Sequence, residues 1–147
     1  MTSPQTNNTP ADFTLGIAEI DLQHGQLHLL LKRLEHSVEM GYGFAANTIL
    51  AELIIQTRIH FAVEESLMRL LGFPETEAHV AEHRRLTGQL EKLKQRAEDF
   101  DVGEGLASFI QTWLIDHVNQ FDREFVGHFL QAGINPLAKP KAAPRTD

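Results

Sequence analysis

Residues 60–68 read HFAVEESLM, and their interpretation decides the fold. His60 and Glu64 stand one helical turn apart within an otherwise apolar run, so both fall on one face of a helix. A buried carboxylate without a partner is costly. Either this face meets solvent, or something positive waits inside.

The surrounding segment favours the inside. Leu50, Leu53, Ile54, His60, Phe61, Glu64, Leu67, Met68 and Leu71 form a helical stripe that ends at Gly72, with Pro74 behind it. Three more segments show the same period and no strand alternation competes with them. The first carries Ile17, Ile20, His24, Leu27, Leu31, Leu34 and Val38, and stops at Met40-Gly41-Tyr42-Gly43. The third carries His79, His83, Leu86, Leu90, Leu93, Ala97 and Phe100. The fourth opens near Gly103–Gly105, carries Leu106, Ile110, Trp113, His117, Phe121 and Phe125, and stops around Gly133. Each segment makes roughly 30–42 Å of helix. Short connections favour antiparallel neighbours, so the expected fold is all-α, an up-down-up-down four-helix bundle over residues 13–133. Residues 1–12 read as a flexible N-terminal arm, and the Pro- and Lys-rich residues 134–147 as a flexible C-terminal tail.

The bulk composition fits one domain with one core. The chain has 147 residues, 42% of them hydrophobic, and a net charge of −7, which argues against a nucleic-acid-binding surface. Without cysteine, disulfides, thiolate metal sites and cysteine nucleophiles are excluded. No apolar run approaches the roughly 20 residues of a membrane span. The opening MTSPQTNNTPAD lacks the basic and apolar regions of a secretion signal, so a cytoplasmic protein is expected. The unusual figure is eight histidines against one tyrosine and one tryptophan.

Several of those histidines lie where hydrocarbon belongs. His24 sits in the seam of the first helix, and His60 and Glu64 share a face of the second. His79 and His83 share a face of the third. His117 lies on the stripe of the fourth, with Asp122 five residues on and rotated to its edge. Measured from the end of the bundle that holds the turn between helices two and three, His79 falls at roughly 5 Å, His24 at roughly 9 Å, and Glu64 and His83 at roughly 10 Å. Asp122, His60 and His117 follow at roughly 13, 16 and 21 Å. The group converges on one layer. Any one of these histidines, taken alone, reads as a hydrogen-bonded core residue. Convergence from four helices makes the set a metal site. Five imidazoles and two carboxylates exceed the four to six ligands of a single divalent ion, and two carboxylates can bridge. Two ions fit better than one. The donor set suits iron and also admits zinc, manganese or copper.

HVAEH at 79–83 also matches H-x-x-E-H, the inverted zinc-protease motif, with Glu82 as base. That reading leaves His24, His60, Glu64, His117 and Asp122 unexplained. Of the other histidines, His36 faces outward and His128 lies too far along the fourth helix. His28 flanks the seam, as a rim residue or a proton donor near the site. Glu65 and Glu35 are expected to face solvent, and Trp113 and Met68 to be core and pocket wall.

Taken together, GIAEIDLQHGQL around His24, HFAVEESLM at 60–68, H-x3-H at 79–83 and WLIDHVNQFD at 113–122 resemble the hemerythrins, above all the single-domain bacteriohemerythrins. The resemblance covers roughly residues 12–131, and all seven ligand positions of that family are filled. It implies two non-haem Fe ions (Fe2+/Fe3+) with a bridging oxo or hydroxo ligand, and reversible O2 binding. By resemblance, His79, His83 and His117 hold one iron. His24 and His60 hold the other, which keeps a position open, and Glu64 and Asp122 bridge the pair. Leu27, Leu31, Phe61, Met68 and Trp113 are candidate walls that keep the site dry. Phe13 stands where the family commonly has Trp, Thr57 where Tyr is common, and His28 where an apolar residue is frequent. The expected function is oxygen carriage, storage or delivery rather than catalysis. Sensing of oxygen, redox state or nitric oxide through a partner, docked by the basic residues Lys139, Lys141 and Arg145, is the alternative, beside an oxidase or peroxidase activity.

Overall fold

A computed structural model describes residues 14–99 and 104–133. They form helix α1 (Ala18–Glu39), α2 (Gly43–Leu71), α3 (Thr76–Asp99) and a fourth rod. That rod is built from α4 (Glu104–His117), a π-helical turn (Val118–Asp122) and α5 (Arg123–Gln131). Helical dihedrals run unbroken across its joints, with φ −60 and ψ −49 at His117 and φ −63 and ψ −40 at Arg123. The expected four-helix bundle is therefore present: α1 packs against α2 and α4, and α2 against α3. The predicted arm and tail, and the stripe residue Phe100, lie outside the described residues.

Local chemistry sets the helix ends. Asp21, in the first turn of α1, accepts hydrogen bonds from the backbone N–H of Leu15 at 2.7 Å and of Gly16 at 3.1 Å. Both tie the incoming chain to the first turn of α1, where the Asp21 N–H itself donates to the Ile17 carbonyl at 2.9 Å. Gly16, at φ +116, also lies so close to the fourth rod that a Cβ there would meet Leu130 Cδ1 at 2.8 Å. The start of α1 is thereby held against α5. Gly72 ends α2 in the left-handed region at φ 70, and the Phe73 N–H reaches back to the Met68 carbonyl at 2.9 Å. The Thr76 hydroxyl then donates to the Phe73 carbonyl at 2.6 Å where α3 begins.

The core is divided. One apolar cluster contains Leu27, Leu31, Leu34, Leu50, Leu53, Phe61, Leu86, Leu90, Ile110 and Trp113. The other contains Ile17, Ile20, Leu67, Met68, Phe73, Val80, Phe125 and Phe129. On every helix the inward polar residues fall where the two clusters meet: His24 on α1, His60 and Glu64 on α2, His79 and His83 on α3, and His117 and Asp122 on the fourth rod. A polar layer is enclosed between two hydrocarbon ones.

Candidate metal centre

Seven side chains fill that layer, and none is more than 3% exposed: His24, His60, Glu64, His79, His83, His117 and Asp122. All seven are the residues singled out from the helical stripes. Their ligand atoms form two groups, each with all its atoms within 4.8 Å of one another. One group is Glu64, His79, His83, His117 and Asp122; the other is His24, His60, Glu64 and Asp122. The carboxylates belong to both.

The two carboxylates divide their oxygens between the groups. Asp122 turns Oδ2 to His24 Nε2 at 2.9 Å and His60 Nε2 at 3.6 Å. Its Oδ1 lies 3.1 Å from both His79 Nε2 and His117 Nε2. Glu64 turns Oε1 to His60 Nε2, in close contact, and to His24 Nε2 at 3.9 Å. Its Oε2 faces His79 Nε2 at 3.1 Å and His83 Nε2 at 3.8 Å.

His24 Nε2 is within hydrogen-bond distance and geometry of Asp122 Oδ2 and of His60 Nε2, but most of the other contacts are not hydrogen bonds. Both Glu64 oxygens, Asp122 Oδ1 and the Nε2 atoms of His79, His83 and His117 are buried without a hydrogen bond of acceptable geometry. Buried polar atoms are almost always satisfied. A cation about 2.1 Å from two ligand atoms at right angles leaves those atoms about 3.0 Å apart, close to the 2.9–3.1 Å of four of these contacts. The orphaned atoms fit a pair of cations, each sharing both carboxylates.

The π-turn makes this possible. In an α-helix, five residues turn about 500°, which leaves His117 and Asp122 about 140° apart. The i→i+5 winding of Val118–Asp122 makes five residues close to one turn, so the two side chains share a face. The stripe shows the signal as a step of five among steps of three and four.

Electrostatics without a cation show how the layer holds its charge. Burial opposes a proton on His60, but Glu64 and Asp122 outweigh it and push its pKa up to about 10. His79 follows the same balance, up to about 9. Burial, reinforced by His117 and His79, drives His83 down to about 2. Burial alone would raise Asp122, yet His117, His24 and His60 hold it well below the usual carboxylate range. Protons on His60 and His79 thus offset the carboxylates, and an entering cation displaces them.

Around the centre, Phe61 stacks on His83 with centroids 3.8 Å apart and planes 7° from parallel. Thr57 is buried and donates to the Leu53 carbonyl at 2.8 Å. Glu82, 17% exposed, is engaged by Arg85 at 2.9 Å to Nε, so its carboxylate is committed to that pair rather than to a role as base. His36 and His128 are exposed. His28 is half-buried, with its pKa lowered by burial and by Lys32 against the opposing pull of Glu35.

Two residues behind the imidazoles escaped the reading of the stripes. Gln23 Oε1 accepts from His60 Nδ1 at 2.7 Å. Glu65, expected to face solvent, is instead only 22% exposed and lies 3.9 Å from His83 Nδ1. Glu35 is likewise only 24% exposed, and it pairs with Lys32.

Comparison with known proteins points the same way. The family described as the hemerythrin HHE cation binding domain matches residues 15–129. A bacteriohemerythrin of Pseudomonas aeruginosa (strain PAO1) is 31% identical over 133 residues, covering 89% of this chain and 86% of the relative. One from Methylococcus capsulatus (strain Bath) is 27% identical over 117 residues, covering 78% and 89%. A crystal structure of wild-type hemerythrin superposes with a TM-score of 0.76 at 26% identity, over 86% of this chain and 95% of that one. Among the described residues no helix is long and apolar enough to cross a membrane.

Proposed function

This chain belongs to the hemerythrin family, and on that premise we propose that it binds O2 reversibly at a non-haem di-iron centre, for oxygen carriage, storage or delivery. The division of each carboxylate's oxygens between two groups of imidazoles carries this reading. On this reading His79, His83 and His117 would hold one iron and His24 and His60 the other, with Glu64 and Asp122 shared between them. The His24 and His60 half offers two imidazoles against three, so it is the half that would have room for a small ligand. Two ferrous ions held there would supply the two electrons that reversible dioxygen binding calls for.

The chain's own part is orientation and exclusion. Four helices fix the seven donors before a cation arrives. Leu27, Leu31, Phe61 and Met68 are at most 3% exposed and Trp113 is 8% exposed. They close the layer from both sides and keep water and stray protons out. A cytoplasmic setting belongs to the same proposal, because a reducing compartment keeps the ferrous pair available.

The test is metal content followed by visible spectra of the reduced protein through repeated oxygenation and deoxygenation. Two irons per chain and a cycle that repeats are expected. Zinc in place of iron, or one ion per chain, overturns the reading. Rapid irreversible oxidation overturns reversible binding, and reductant-driven turnover of peroxide favours an enzyme instead. Nitric oxide added to the reduced protein should compete with O2 for the same position.

A further inference from the structure

Two imidazoles of the centre differ in what stands behind them. His60 and His83 both turn Nε2 towards Glu64. With Nε2 as the ligand atom, the ring proton belongs on Nδ1. His60 Nδ1 donates to the neutral amide oxygen of Gln23 at 2.7 Å. His83 Nδ1 is buried without a hydrogen bond and faces the Glu65 carboxylate at 3.9 Å. Glu65 sits in a cleft of about 570 Å³ between α2 and α3, beside Thr87 and three arginines, Arg58, Arg69 and Arg84. A side chain in such a cleft has room to close the remaining ångström by a small rotation.

An amide and a carboxylate are unequal acceptors. A hydrogen bond to an ionised acceptor is roughly twice as strong as a neutral one. A carboxylate behind a ligating imidazole also fixes the ring and raises its basicity. We propose that Gln23 and Glu65 are positioning residues that make the two halves of the centre unequal. Glu65 strengthens the half containing His83, and Gln23 leaves the half containing His60 the weaker. The inference rests on the two-cation reading above and adds to it which outer residues set the difference.

Zinc is the probe, because it is diamagnetic and leaves the imidazole nitrogens visible to 15N NMR. The protein should take two zinc ions in two separable steps. Three imidazoles against two would contribute to that separation, so the variants decide the cause. Glu65→Gln, isosteric and at a half-buried position, should weaken the tighter step by about 10–100-fold. It should also shift the His83 Nδ1 resonance and leave that of His60 in place. Glu65→Asp, which keeps the charge, should restore most of the affinity. Gln23→Glu should tighten the weaker step and shift His60 Nδ1. Unchanged steps and an unchanged His83 resonance in Glu65→Gln overturn the inference, as does a Glu65→Asp variant no better than Glu65→Gln. Fewer than two zinc ions bound to the unaltered protein would sink the two-cation reading itself.

Discussion

His117 and Asp122 meet at 3.1 Å because the backbone between them is wound as one π-turn. The extra residue in that turn is absorbed at the exposed positions Asn119 and Gln120. Deleting Asn119 should leave a continuous α-helix with a histidine-to-carboxylate step of four, the spacing of His60 and Glu64, and metal loading should survive. Inserting one alanine after Asn119 should rotate Asp122 by about 100° off the face. Loading should then fall below two ions per chain. Elemental analysis of both variants after gel filtration checks this, and equal loading in both would refute it.

The metal-free protein should be most stable near pH 6.5. His60 and His79 are raised from 6.5 to about 10 and about 9, so their contribution is complete below 6.5 and is lost as pH climbs through those values. His83 is lowered to about 2, so below pH 6.5 its contribution fades as the unfolded chain gains a proton the folded one refuses. Urea midpoints from pH 4 to 10 should therefore trace a dome. Metal-loaded protein should lose the fall on the alkaline side, because cations replace those protons. A flat profile without metal would contradict the electrostatic account.

Phe61 is 3% exposed and lies flat against His83. Phe61→Ala should cost about 3–5 kcal/mol through lost burial and the cavity left behind. Water entering that cavity should also shorten the life of the oxygenated cycle, measured as the number of cycles before the spectrum no longer returns. Phe61→Leu should do less on both counts. A destabilised variant with an unaltered cycle would mean that Phe61 packs but does not seal.

His28→Leu should leave the autoxidation rate unchanged. Burial and Lys32 lower the pKa of His28, which disfavours a charged proton donor there. A rate slowed several-fold would assign His28 a proton-delivering role.

The stripes made the seven inward residues legible, because polar groups at core spacing stand out against leucine and phenylalanine. Axial rise also brought them to one level, although it left His117 several ångströms from the rest. The π-turn shortens that offset only slightly, and the rest reflects how the helix ends were set. Which carboxylate oxygen faces which imidazole was not legible, since helical period fixes a face and not a side-chain torsion. Glu65 was misread for a related reason. It lies about 100° around the helix from Glu64, and only the packing of α3 decides whether that flank is open or covered.

His24 and Asp122 touch across 98 positions of chain. A ribosome adding about 5–20 residues per second makes the second of them about 5–20 s after the first. Throughout that interval the emerging chain carries histidines whose final neighbours do not yet exist. Assembly of the complete pocket is therefore an event that follows synthesis, and a transcript cut short after α3 would yield a product able to collapse but never to carry its full cargo.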